Sequence, residues 1–194
     1  GMQAVAALYS EGSIRGMHAY GISYLEGDSI RRECWHQLPE ILDVVRSLEA
    51  NPPRILIGHC RYSTSGDFKD HRNNQPIVAA GLSLVFNGVI SMKLKSEFEA
   101  EFGVKCDADN DGEIFLRKIE QGVDPFLFLK ETKCSFAGCW IEGGRLFAAR
   151  NEFRPMHKAE FRGASLYCST ADIFARAGIL GCKPLESGSI YVEG

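Results

Sequence analysis

The sequence predicts an α+β fold, and three observations predict it. Strand-like and helix-like segments come in runs rather than in strict alternation, which disfavours a doubly wound sheet. At 194 residues the chain can build one domain with a full core and falls short of two large ones. No repeat, low-complexity tract or linker divides it, so residues 1–194 are expected to form a single domain, with Gly1 set aside as a tag remnant before Met2.

The elements follow in order. Met2–Ser10 is short and Ala-rich and reads as the last turns of a helix. Ala19–Leu25 (AYGISYL) is a strand, Glu26-Gly27-Asp28 a turn, and Ser29–Trp35 the return strand. Pro39 opens a helix whose Ile41, Leu42, Val44, Val45 and Leu48 share a face, and Pro52-Pro53 stop it. Arg54–Cys60 and Leu82–Phe86 are apolar strands. Helices are predicted over Ser91–Phe102, with Ser91 as a cap, over Asp111–Gln121 and over Asp124–Lys130. Four strands (Ser135–Ile141, Arg145–Arg150, Ser165–Ser169, Ser189–Val192) close the chain, with a short helix at Ala171–Ala177.

Composition excludes several classes. A net charge of −3 gives no reason to expect nucleic acid or an acidic membrane surface as a partner. No apolar run approaches the roughly 18 residues a membrane span needs, and no signal peptide opens the chain. The seven cysteines contain no C-x-x-C pair, so neither a zinc site nor a disulfide framework is expected; buried, reduced thiols in the cytoplasm are. The five histidines have no metal-ligand spacing, and no metal or cofactor is assigned.

Chemistry concentrates in three places. Gly58–Gly66 (GHCRYSTSG) follows a buried strand and delivers an arginine, an aromatic residue and three small hydroxylated residues. The Arg61 fork suits a carboxylate, and Ser63 and Thr64 offer hydroxyls; the alternative is a surface arginine after a strand. His59 and Cys60, neighbours in a strand, should point to opposite faces, so Cys60 is read as structural. Asn87-Gly88 fits a type I′ hairpin turn, yet a helix and not a clear returning strand follows; a carboxamide plus a backbone N–H at a strand end is also an oxyanion hole. DADNDGE (Asp107–Glu113) resembles the first half of a calcium loop, but the closing position falls on Lys118, a cation. Asp111 is then either a helix cap or the partner of a substrate ammonium.

Taken together these segments resemble the class II glutamine amidotransferase domain, a branch of the N-terminal-nucleophile hydrolases. Gly58–Gly66 is similar to the family's H-x-R-[WY]-[AS]-T-x-G, Phe86-Asn87-Gly88 to H-N-G, and Asn110–Glu113 to [ST]-D-[ST]-E. Arg15-Gly16 with Gly21-Ile22 resembles R-G-x-D-x-x-G-I, and Leu146–Arg150 with Arg154-Pro155 resembles L-x-A-A-R-D…R-P-L. Leu166–Ala171 and Leu185–Val192 are similar to the last two strands, so the resemblance runs from about residue 8 to 193. It implies a four-layer αββα sandwich. It also implies that Arg61 holds the α-carboxylate of glutamine or a related γ-glutamyl amide and Asp111 its α-ammonium. Asn87 and Gly88 would form the oxyanion hole, with Tyr62 and Thr64 lining the pocket.

Three positions and one segment depart from the pattern. His18 replaces an Asp, Phe86 a His, and Gly112 a Ser or Thr. The family's N-terminal Cys-Gly strand is not among these residues, the sequence starting within the first family helix. The chain as given is therefore expected to lack its nucleophile and first strand, and to dimerise or be marginally stable through the exposed edge. Two readings stay open: an active glutaminase that passes ammonia to a synthase partner, or a binder of glutamine or γ-glutamyl compounds without the chemistry.

Overall fold

A computed structural model describes residues 1–63 and 66–194. Helix α1 (Met2–Gly12) leads into β1 (Ala19–Glu26), which turns at Gly27 into β2 (Ser29–Trp35). Helix α2 (Leu38–Ser47) follows, capped by Gln37 with Glu40 reaching back to it, and then β3 (Leu56–Arg61). Next come β4 (Ile77–Ala79), β5 (Leu82–Val89), α3 (Lys95–Phe102), α4 (Glu113–Glu120) and α5 (Pro125–Glu131). The chain closes with β6 (Ser135–Glu142), β7 (Arg145–Arg150), β8 (His157–Phe161), β9 (Ala164–Cys168), α6 (Ala171–Arg176), β10 (Lys183–Pro184) and β11 (Ile190–Glu193).

The α+β expectation holds, and all strand pairings are antiparallel. One sheet runs β2-β1-β3, a second β10-β8-β9, and the third β11-β7-β6-β5-β4. Each layer follows from which face is apolar. Ile41 and Val45 of α2 and Tyr9 of α1 bury against Tyr20 and Ile22 of β1. Further along α1, Ala4 and Leu8 pack with Ala159 of β8 and Phe174 of α6, so α1 lies across both three-stranded sheets. Opposite them, Leu25, Ile55 and Ile57 meet Val85, Cys139 and Ile141 of the five-stranded sheet. The outer face of that sheet carries α3, α4 and α5: the Phe115 ring lies tilted 5.0 Å from Phe136 and edge-on 5.1 Å from Trp140, all three with no exposed surface. Burying rings of this size stabilises by about 1.5–3 kcal/mol each. The result is helices, two layers of sheet, and helices.

Several elements differ from expectation. The predicted Ser91–Phe102 helix starts at Lys95, and Ser91 is not its cap: Ser91 Oγ accepts from Lys93 N (3.2 Å) and its own N–H is taken by Asp111 (2.9 Å). The strand expected to stop at Phe86 continues through Val89, so Asn87-Gly88 lies within β5, paired with Ala137 and Phe136, and is no hairpin turn. Strands β4, β8 and β10 were not foreseen; they are short or carry polar residues such as His157, Lys158 and Glu160.

Candidate active site

β3, β5 and the turn before α4 point their ends at one cavity of about 690 Å³. Arg61, Asn87, Gly88 and Asp111 all line it, as does Tyr62; Thr64 lies outside the described residues. Arg61, the last residue of β3, is 4% exposed, and its Nη1 donates to Asn74 Oδ1. Burial pulls its pKa down, countered by Cys34 and Asp67. Tyr62, by contrast, is 65% exposed and tilted against the His18 ring (4.8 Å).

Strand geometry aims the Gly88 N–H. Successive N–H groups of a strand alternate sides. Phe86 N–H goes to Gln75 Oε1 (2.6 Å), on the β4 side, and Val89 N–H to Ser135 Oγ (3.0 Å), on the β6 side. Gly88 N–H therefore falls on the β4 side, past Leu84, where pairing with β4 ends. Only glycine fits here: a Cβ would sit 1.9 Å from the Ser135 carbonyl oxygen.

Asp111, 8% exposed, is fixed by Ile90 N–H (2.5 Å) and Ser91 N–H (2.9 Å) donating to Oδ2. Burial raises its pKa, and those backbone donors pull it back. It is no helix cap in the expected sense, since α4 starts at Glu113. The DADNDGE loop is organised by Glu113, whose carboxylate takes the N–H groups of Asp107 and Ala108 (2.8 Å for the latter) and pairs with Arg117 (2.8 Å). Among the described residues no group of three or more His, Cys, Asp or Glu converges as a metal site.

His18, where the family pattern has Asp, accepts Ser63 N–H at Nδ1 (2.9 Å), a bond a carboxylate would also make. Cys60 points away from the cavity's β5 wall, toward the Tyr9 carbonyl (3.7 Å), and burial pushes its thiol up to about 12. His59 lies on the other face of β3, its Nδ1 buried and unpartnered. Arg15 and Arg154 stand on the cavity wall, Arg15 donating to Ser169 Oγ (3.3 Å) and Arg154 to Ser135 Oγ (3.4 Å).

Missing from the sequence reading was the segment Asn73-Asn74-Gln75, almost wholly buried. Asn73 Oδ1 accepts Asp109 N–H (2.8 Å), Asn74 meets Arg61, and Gln75 meets Phe86. It ties β3, β5 and the Asp111 turn together. Three consecutive amides before a proline were the available signal, since side chains of this kind are rarely buried without a network to satisfy.

The cavity has one more boundary. β3 is the last strand of one three-stranded sheet and β9 of the other, and both line the cavity beneath α1. Among the described residues neither carries a further strand on that side. Two edge strands, one from each three-stranded sheet, thus border the cavity.

Comparison with known proteins fits this geometry. The chain is 26% identical, over 92% of its length, to an amidophosphoribosyltransferase of Rhizobium etli, and 28% identical, also over 92%, to that of Pyrococcus horikoshii. Its fold superposes on the glutamine phosphoribosylpyrophosphate amidotransferase of B. subtilis with a TM-score of 0.75, at 17% identity and over 98% of this chain. The chain is related to the class II glutamine amidotransferase domains. It spans only 38% and 42% of the two curated relatives and 44% of the B. subtilis chain. No protein-family model matches it.

Proposed function

We propose that this domain recognises glutamine as a zwitterion and hydrolyses its side-chain amide to glutamate and ammonia. The observation that carries the reading is the convergence of a buried guanidinium, a buried carboxylate and the Asn87-Gly88 pair on one cavity. Arg61 takes the α-carboxylate in a two-point grip and Asp111 the α-ammonium. The amide carbonyl then lies toward the Asn87 carboxamide and Gly88 N–H, which stabilise the oxyanion of the tetrahedral intermediate.

The nucleophile in this reading is the N-terminal cysteine of an extended segment seated between β3 and β9. Cysteines already bordering the cavity are poor candidates, because burial pushes Cys60 and Cys139 to about 12 and raises Cys168 as well. An N-terminal amine, with pKa roughly 7.7–8.0, takes the thiol proton. The sulfur adds to the amide carbon, the C–N bond breaks, and ammonia leaves with that proton. Water then cleaves the γ-glutamyl thioester, returning the thiol and releasing glutamate. Ammonia passes to an acceptor-binding synthase domain, consistent with relatives more than twice as long as this chain. Seven free cysteines fit a reducing compartment, the cytoplasm.

The test combines N-terminal sequencing of the protein from its natural host with an assay for glutamate and ammonia from L-glutamine. A chain opening with Cys-Gly that releases both products supports the reading. Glutamine binding without product in that same protein supports instead a non-catalytic binder of glutamine or a γ-glutamyl compound. Absence of both contradicts both.

A further inference from the structure

The arginine assigned to the substrate carboxylate is held by a hydrogen-bonded chain that reaches a histidine. Arg61 has only donors, so the Asn74 side-chain atom facing its Nη1 is the oxygen. That fixes the amide's orientation, and its nitrogen then donates to the Phe68 carbonyl (2.8 Å) and faces His71 Nδ1 at 2.9 Å. An amide nitrogen accepts nothing, so His71 Nδ1 is the acceptor: it is unprotonated, and the neutral ring carries its proton on Nε2. A proton added to Nδ1 faces the Asn74 N–H donors, and the bond is lost. Asn74 has no solvent-exposed surface through which to find a replacement.

The neighbours of His71 come from three elements. From β2, Arg32 Nη2 donates to the His71 carbonyl (2.5 Å), and just beyond that strand the His36 ring stacks on His71 at 4.2 Å and 20°. Glu40 faces it from α2, and Asp70 and Arg72 flank it on its own segment. Burial, then His36 and Arg32, lower its pKa, with Asp70 and Glu40 opposing.

We propose that Asn74 and His71 are positioning residues for the carboxylate-binding Arg61, and that protonating His71 weakens glutamine binding by removing one of the two acceptors that hold the Asn74 amide nitrogen. This rests on the assignment of Arg61 to the glutamine carboxylate. Neither residue touches substrate; both act through the guanidinium.

The test is calorimetric titration of the domain with L-glutamine at steps from about pH 7.5 down to about pH 5, where an imidazole changes charge. Wild type should lose roughly fivefold or more in affinity across that range. His71→Gln, whose carbonyl oxygen accepts from Asn74 without titrating, should hold near-constant affinity; any slope it shares with wild type comes from groups other than His71. Equal pH profiles in the two proteins overturn the proposal while leaving the glutamine site standing. No binding by wild type at any pH overturns the glutamine site and the proposal with it. Should His71→Gln not fold, nitrogen-detected NMR of wild type decides: the Arg61 Nε–H signal must move with the His71 titration, and an Arg61 signal indifferent to it overturns the proposal.

Discussion

Gly112 lies under the edge of the Phe86 ring: a Cβ at residue 112 would stand 2.3 Å from Phe86 Cε1 and 2.8 Å from Ile77 Cδ1. These are two of the positions at which this chain departs from the family pattern, and the contact makes them one departure. Phe86 is 4% exposed and stacks on Phe136 at 5.6 Å, so it fills the space a side chain at 112 would need. Gly112→Ser alone should therefore destabilise by about 1–3 kcal/mol. Combined with Phe86→His the cost should fall, with a coupling of about 0.5 kcal/mol or more between the two sites. Urea midpoints of the two single variants and the double variant measure it, and strict additivity would break the link.

In the proposed reading, Asn87→Ala removes one oxyanion donor and no contact to the substrate's charged ends. In a form of the protein that hydrolyses glutamine, kcat should drop by about 10²–10³. The dissociation constant for glutamine should change little. A variant that weakens binding and leaves kcat alone would move Asn87 from the reaction to recognition.

In the proposed reading, Asp111 trades stability for binding. Its folded-state pKa is raised, chiefly by burial, so the stability it contributes is present at low pH and is lost as pH rises through that value. Asp111→Asn keeps an oxygen for the Ile90 and Ser91 N–H groups and has no charge to desolvate. The variant should be more stable than wild type at neutral pH, with the gap closing in acid, while glutamine affinity falls at least about tenfold. Parallel denaturation curves at two pH values, with one binding titration, check both halves.

His59 has the opposite sign. Burial, then Arg61, lowers its pKa from 6.5 to about 4, and its Nδ1 is buried without a partner. The unfolded chain takes up the proton first, so stability from this residue is complete above about pH 6.5 and is lost as pH falls toward about 4. His59→Gln should flatten the acid limb of the stability–pH curve. An unchanged limb would place the acid sensitivity elsewhere.

How far the sequence could be read depends on what each residue answers to. Periodicity found α2 and α4 because Ile41, Val45, Ile114 and Phe115 meet a sheet. Arg61, Asn87-Gly88 and Asp111 were named from the sequence as a candidate site, and the structure places all four on one cavity. Ser91 was misread because a serine ahead of an amphipathic stretch looks like a cap, whereas its N–H answers to Asp111, 20 residues away. Asn87-Gly88 has the local signature of a turn, but pairing with β6 keeps it in a strand. The role of the Asn73–Gln75 segment could not be read, because its three amides before a proline signal a network while the partners, Arg61, Phe86 and Asp109, are separated from it in sequence and meet only in the fold.

The most direct measurement is a crystal structure of the domain soaked with L-glutamine. The α-carboxylate should lie on the Arg61 guanidinium and the α-ammonium against Asp111, with the side-chain amide oxygen turned to Asn87 and the Gly88 N–H. Glutamine bound away from these groups, or bound in the reverse direction with its amide on Arg61, would contradict the assignment of this cavity as a glutamine amide site.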